Sequence, residues 1–238
     1  MKTESLGGFD RFRVPAALLV IAIHTGPLLS LNGEANYLLT DILARIAVPF
    51  FFAVSGWFLV PRLLREGRAA LIPFVKKLLL LYGAAVLLYL PLNLYNHTLE
   101  ESGFALLRDV LFNGTFYHLW YFPALLLGVL LARLLARLGM PAALTLAGVL
   151  YLIGLGGDSY YGLTAQVPAL AQCYDGLFVL SSYTRNGLFF VPLFVLLGVV
   201  DMRLSRRTAV VGFLLSLAAM TAEGLLLHTL GTQRHDSM

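Results

Sequence analysis

Charge is scarce in this chain. Of 238 residues only 13% are Asp, Glu, Lys or Arg, against 59% apolar, and the mean hydropathy is +0.81. A water-soluble domain of this length needs far more charged surface. Cysteine is scarcer still: the single Cys173 excludes an internal disulfide and leaves the redox compartment unreadable. Cys/His spacing of the metal-binding kind is absent, so no metal is expected. A Walker loop, a dinucleotide fingerprint, an H-E-x-x-H helix and a nucleophile elbow are absent too. ATP hydrolysis and serine-esterase chemistry therefore have no support. No repeat, low-complexity tract or linker marks a second domain, and 1–238 reads as one transmembrane domain.

What the chain has in abundance is long apolar runs. Seven are read as spans, at about 13–30, 42–60, 74–94, 117–137, 141–156, 186–201 and 207–229. The fold class is all-α, a polytopic transmembrane helical bundle of seven spans in this chain, the fifth short for a crossing. The first run follows basic residues as a signal peptide would. It lacks a small-x-small cleavage site and further spans follow, so it reads as a retained helix.

The net charge of +4 does not point to nucleic acid, because the basic residues gather in short loops between runs. With the N-terminus inside, the cytoplasmic side receives Lys2, Arg11, Arg13, Arg62, Arg65, Arg68, Lys76, Lys77, Arg133, Arg137, Arg203, Arg206 and Arg207. The other side receives Arg45, Arg108, Arg185 and Arg234, together with Glu34, Asp41, Glu100, Glu101, Asp109, Asp158 and Asp175. This asymmetry predicts a multi-pass protein with a cytoplasmic N-terminus. A long outer loop is expected at 157–185. The C-terminus, on RHDSM, falls outside and stops without a closing element, so the chain reads as cut short.

Polar residues inside apolar runs carry the functional signal. The first run, RVPAALLVIAIHTGPLL, holds Arg13 and His24. Their eleven-residue spacing leaves them within about 20° of one helix face and roughly 16 Å apart along the axis. A neutral imidazole can accept a hydroxyl proton, although His24 would also serve as packing glue and Arg13 as a snorkelling anchor. Arg45 opens the second span, where Ser55-Gly56 permits close helix approach. His118 sits at the same outer level as His24, so the two are expected to line one pocket. Arg185 and Asn186 mark the outer mouth of the sixth span. In the seventh, Glu223 needs a partner or a proton, and its i to i+5 spacing from His228 keeps the two off one face.

Several segments together resemble a known family. GFDRFRVPAALLVIAIHTGPL, ARIAVPFFFAVSGWFL, GTFYHLWYFPALLLG, YTRNGLFFVPLFVLLG and the final RHDSM are similar to the membrane acyltransferase 3 family. Within it they most resemble the membrane domain of vancomycin-resistance serine racemases. The resemblance implies a bundle of about ten helices, of which this chain would lack the last three. It also implies transfer of an acyl group from a cytoplasmic acyl-CoA, a co-substrate rather than a bound cofactor, to a hydroxyl of a cell-envelope acceptor such as a glycan. His24 would be the base and Arg13 would face the donor. Arg45, His118, Arg185 and Glu223 would bind substrate. Many relatives carry Arg-x-x-Arg before the third helix; here FVKKLLLLY leaves Lys76 and Lys77 as donor-binding candidates without the arginine fork. A bacterial cell membrane is the implied location and the bilayer the implied partner. Two other functions stay open: passage of serine or a similar small amino acid, and a scaffold without activity.

Overall fold

The computed structural model describes residues 6–97, 102–116, 118–200 and 204–232, with side chains from residue 8 onward. Lys2, Glu100, Glu101, Tyr117, Arg203 and the RHDSM end, all used above, lie outside the described residues. Every described element is helical.

Helix α1, Leu6–Thr25, packs Phe9 and Phe12 against Phe50, Trp57 and Phe58 of the next helix. It ends five residues before the expected edge, because Gly26 takes a positive φ of 53° and Pro27 follows. His24 thus stands in the last turn of a helix, not in the middle of one. Helix α2, Gly33–Glu66, starts nine residues earlier than expected, where the Asn32 side chain accepts from the Ala35 N–H. It widens into a π turn at Leu38–Ile42 and tightens into a 3-10 turn at Leu43–Ile46 before resuming at Ala47. Such irregular turns re-aim side chains, and this one carries Asp41 and Arg45.

Helix α3, Arg68–Tyr95, is followed by α4, Gly103–Arg108 with a π turn at Asp109–Asn113. Two hydrogen bonds tie this stretch to α3: the Tyr82 hydroxyl donates to the Val110 carbonyl at 3.0 Å and the buried Asn93 amide to the Thr115 carbonyl at 2.8 Å. Helices α5, Tyr121–Ala136, and α6, Met140–Gly156, come next. The expected long loop is largely helical, forming α7, Tyr161–Thr164, and α8, Pro168–Leu180. The Tyr174 hydroxyl pins it to α6 through the Ile153 carbonyl at 2.8 Å.

The sixth expected span departs most. Only α9, Val191–Leu197, is helical there. Asn186 folds the residues before it into a turn: its side chain accepts from the N–H groups of Leu188 and Phe189 and donates to the Tyr183 carbonyl. The short α9 is nevertheless the centre of the core, wedged among α2, α5 and α6, with Phe52, Val60, Val129, Ala147, Val191 and Val195 all buried. Gly56, half of the Ser-Gly pair, lets α2 reach it, since a Cβ there would stand 1.9 Å from the Val195 carbonyl oxygen.

Helix α10, Arg206–Leu230, docks through its C-terminal half. Tyr37 donates to the Gly224 carbonyl at 2.9 Å and its ring packs, tilted, against His228 at 4.3 Å between centroids. Among the described residues three helices, α2, α3 and α10, are long and apolar enough to cross a membrane, while α5 and α6 are shorter apolar helices. Leu80 and Leu88 of α3 and Phe213 and Leu215 of α10 are each more than half exposed. Apolar surface of that extent is what lipid covers.

Candidate active site

The sequence-predicted residues separate into one cluster, one neighbouring cavity and two outliers. The cluster forms where α1 ends and α5 begins. The imidazoles of His24 and His118 lie 5.4 Å apart between ring centroids. His24 is exposed, whereas His118 is half-buried and held edge-on by Tyr89 at 4.7 Å and Phe116 at 5.0 Å. Tyr89 and Phe116 themselves stack at 4.7 Å. The local backbone explains why His118 reaches this point. Gly114 turns the chain at φ 79°, and a Cβ there would come within 2.4 Å of the Trp120 nitrogen.

Arg45 and Arg185 join the pair, and each lies within electrostatic range of His24. Arg45 bonds Asp41 at 2.8 Å, four residues earlier on the irregular part of α2. The Thr40 hydroxyl donates to the other Asp41 oxygen at 2.8 Å, so this carboxylate is held on both sides. Arg185 lies 3.8 Å from Asp158 and 5.9 Å from the centre of the Trp120 ring. Asp158 is only 1% exposed, and its charge and that of Arg185 both act on Arg45. Formal charges in this network balance, two cations against two carboxylates. It can therefore orient polar groups without drawing in an excess of either sign.

Beside the cluster opens a cavity of about 390 Å³ whose polar lining is Asp41, Arg45, Ser159 and Glu223. Phe190, Phe194 and Met220 supply its apolar wall. Glu223 is reached here from α10 and accepts a short hydrogen bond from the Tyr160 hydroxyl. Tyr160 stands in the connection between α6 and α7, and its phenol is pushed up to about 12, first by that bond and then by burial. The structure thus supplies the partner that Glu223 requires.

The outliers are Arg13 and the lysine pair. Arg13 is exposed and pairs with Asp10 at 3.1 Å, well down α1 from His24. Lys76 and Lys77 are exposed on α3. Sequence reasoning missed Asp41, Asp158 and Tyr160 as site residues. The i,i+4 spacing of Asp41 and Arg45 was a usable signal; nothing in the sequence marks Asp158 as buried. Among the described residues no group of three or more His, Cys, Asp or Glu side chains is placed to hold a metal ion.

Comparison with known proteins bears on this arrangement. The acyltransferase domain family, acyltransferase 3, matches residues 6–236. The chain belongs to the acyltransferase 3 family. Two proteins of Enterococcus faecalis named amino-acid racemase are similar to it, at 42% identity over 100% of this chain and 40% over 97%. A serine/alanine racemase of Enterococcus gallinarum is 42% identical over 97% of it. The chain spans about a third of these relatives, 34%, 35% and 34% of their lengths. No solved structure matches the chain. An acyltransferase 3 membrane domain with homologues named racemase agrees with the resemblance that the sequence carried.

Proposed function

We propose that this domain is an integral-membrane acyltransferase, carrying an acyl group from a cytoplasmic acyl-CoA-type donor to a hydroxyl of a cell-envelope acceptor. The observation that supports it is the His24–His118 pair at 5.4 Å, in a chain of the acyltransferase 3 family. His24, the exposed member, is the base. Its neutral imidazole takes the acceptor's hydroxyl proton as the oxygen attacks the thioester carbonyl carbon. The C–O bond forms, the C–S bond breaks, and the proton passes from the imidazolium to the departing thiolate. His118 orients His24, Arg45 and Arg185 position the acceptor, and Glu223 lines the acceptor's approach. Arg13, Lys76 and Lys77 serve the donor from the other end of the bundle. In this reading the chain crosses a bacterial cell membrane several times with its N-terminus in the cytoplasm, so donor and acceptor arrive from opposite sides. The test is acyl transfer in membranes containing the protein and its His24→Ala variant. Undiminished transfer in the variant rejects the base.

A second reading rests on the cavity, where Arg45 shares one space of about 390 Å³ with the carboxylates of Asp41 and Glu223. Those charges suit the carboxylate and amine of a small amino acid, and the relatives are named for racemising amino acids. Here the domain would pass serine or a similar solute. Serine flux into liposomes without any acyl-CoA, lost in Glu223→Gln, separates this reading from the first.

A further inference from the structure

Away from the histidine pair, α2 turns into α3 and α5 comes to its end. This corner is strongly basic. Arg62, Arg65 and Arg68 flank the turn, and Arg133 and Arg137 stand at the end of α5. The carboxylate at the turn, Glu66, is taken by Arg62 at 3.2 Å. Arg133 differs from its neighbours. Its side chain is partly buried, and its Nε is fully buried with no hydrogen-bond partner among the described residues. Its guanidinium lies against Gly67, 3.8 Å from where a Cβ on that residue would stand.

Only the Nε is desolvated; the terminal nitrogens of this partly exposed side chain stay within reach of a ligand, held in place by the buried stem. The planar fork matches two oxygens of one phosphate better than it matches a lone carbonyl. Gly67 presents no side chain, and no side chain caps the start of α3 that follows it. An anion held by Arg133 can therefore also approach the first N–H groups of a 28-residue helix. Arg65 and Arg68, both exposed beside it, add positive potential without competing for the same oxygens.

We propose that Arg133 is the centre of a binding site for a phosphoryl group at the α2–α3 corner, on either a soluble phosphate ester or a phospholipid headgroup. The site goes beyond the acyl-transfer reading, since phosphate binding requires no acyl transfer. Failure of one is therefore distinguishable from failure of the other.

The experiment follows thermal unfolding of the protein in maltoside micelles and phosphate-free buffer, through the fluorescence of its two tryptophans. One arm adds millimolar inorganic pyrophosphate; the other adds phosphatidylglycerol to the micelles, compared with uncharged diacylglycerol. Binding to the folded state alone raises the midpoint, here by about 3 °C or more in at least one arm. A response to pyrophosphate only assigns a soluble ligand, a response to phosphatidylglycerol only assigns a headgroup, and a response to both assigns the phosphoryl group itself. The shift should fall below half in Arg133→Gln and stay whole in Arg137→Gln, which removes a neighbouring charge. Arg133→Lys keeps the charge without the fork and provides the second variant if Arg133→Gln does not fold; its shift should also fall below half. Absence of any shift in both arms, a full shift in either Arg133 variant, or an equal loss in Arg137→Gln overturns the proposal.

Discussion

His24 and His118 meet at 5.4 Å with unequal freedom. His118 is boxed by the rings of Tyr89 and Phe116, whereas His24 is exposed on the last turn of a helix. Rings packed edge-on to an imidazole fix its plane without giving it a counter-charge. The caged histidine is therefore suited to orient, and the exposed one to meet a substrate hydroxyl.

If the two act as one device, their losses should not multiply. His24→Ala is expected to lower acyl transfer about 100-fold or more, the usual range for a general base. His118→Ala should lower it by about 10-fold, and the double variant should be no worse than His24→Ala alone. Initial rates in membranes at matched protein levels provide the check. Multiplicative losses in the double variant would show that the two histidines work independently.

The carboxylate of Asp158 has a different task. It is 1% exposed, 3.8 Å from Arg185, and its charge also acts on Arg45. Removing it leaves two arginines with only Asp41 between them. Loss of one member of a buried ion pair destabilises by about 3–5 kcal/mol. Asp158→Asn should lower the unfolding midpoint by several degrees, and Asp158→Asn with Arg185→Gln should recover part of that loss. A midpoint unchanged in the single variant removes Asp158 from the network.

How much of this was legible depended on whether the signal was local. Ser55-Gly56 as a packing pair follows from spacing along one run, and His24 beside His118 from matching the ends of two runs; the structure shows both contacts. The π turn of α2 leaves no such signature, because an extra residue in a helical turn changes register but not composition. The sixth span failed for a related reason. RNGLFFVPLFVLLG is apolar enough for a crossing, but Asn186 spends its amide on a turn and only Val191–Leu197 winds into helix. Asp158 sits in a Gly-Gly-Asp-Ser stretch that reads as loop. Its burial comes from long-range packing, with the neighbouring Thr184 hydroxyl donating to the Gly154 carbonyl at 2.6 Å. Apolar runs also look alike whether they face lipid or protein, so α9 in the core and α10 at the surface were indistinguishable.

Core packing makes a sharp claim about Gly56. A Cβ at this position meets backbone, the Val195 carbonyl oxygen at 1.9 Å, and backbone cannot rotate away. Gly56→Ala should therefore destabilise by about 3 kcal/mol or more, at or beyond the upper end of ordinary overpacking. Gly212→Ala is the matched comparison, since a Cβ there meets nothing within 4 Å on helical α10. Helix propensity alone predicts a gain of up to about 1 kcal/mol for it. Equal thermal midpoints for the two variants would contradict the observed α2–α9 approach.

The bond from Tyr160 to Glu223 gives the C-terminal half of α10 a pH-dependent attachment. The phenol is raised to about 12, and the largest cause is that bond. A folded-state value above the ordinary 10 means that the bond's contribution to stability is fully present below about pH 10. It is lost as pH rises through about 12. The titration of Tyr160, isolated as the absorbance difference near 295 nm between the protein and Tyr160→Phe, should thus have its midpoint near 12. In Glu223→Gln the principal cause is gone, and the midpoint should move down toward 10. Because Tyr37 still holds Gly224 from the other side, α10 should remain docked in that variant, and the change should be confined to the alkaline limb of the stability curve. A Tyr160 midpoint that is the same with and without the carboxylate would mean that the two side chains do not share a proton-dependent bond.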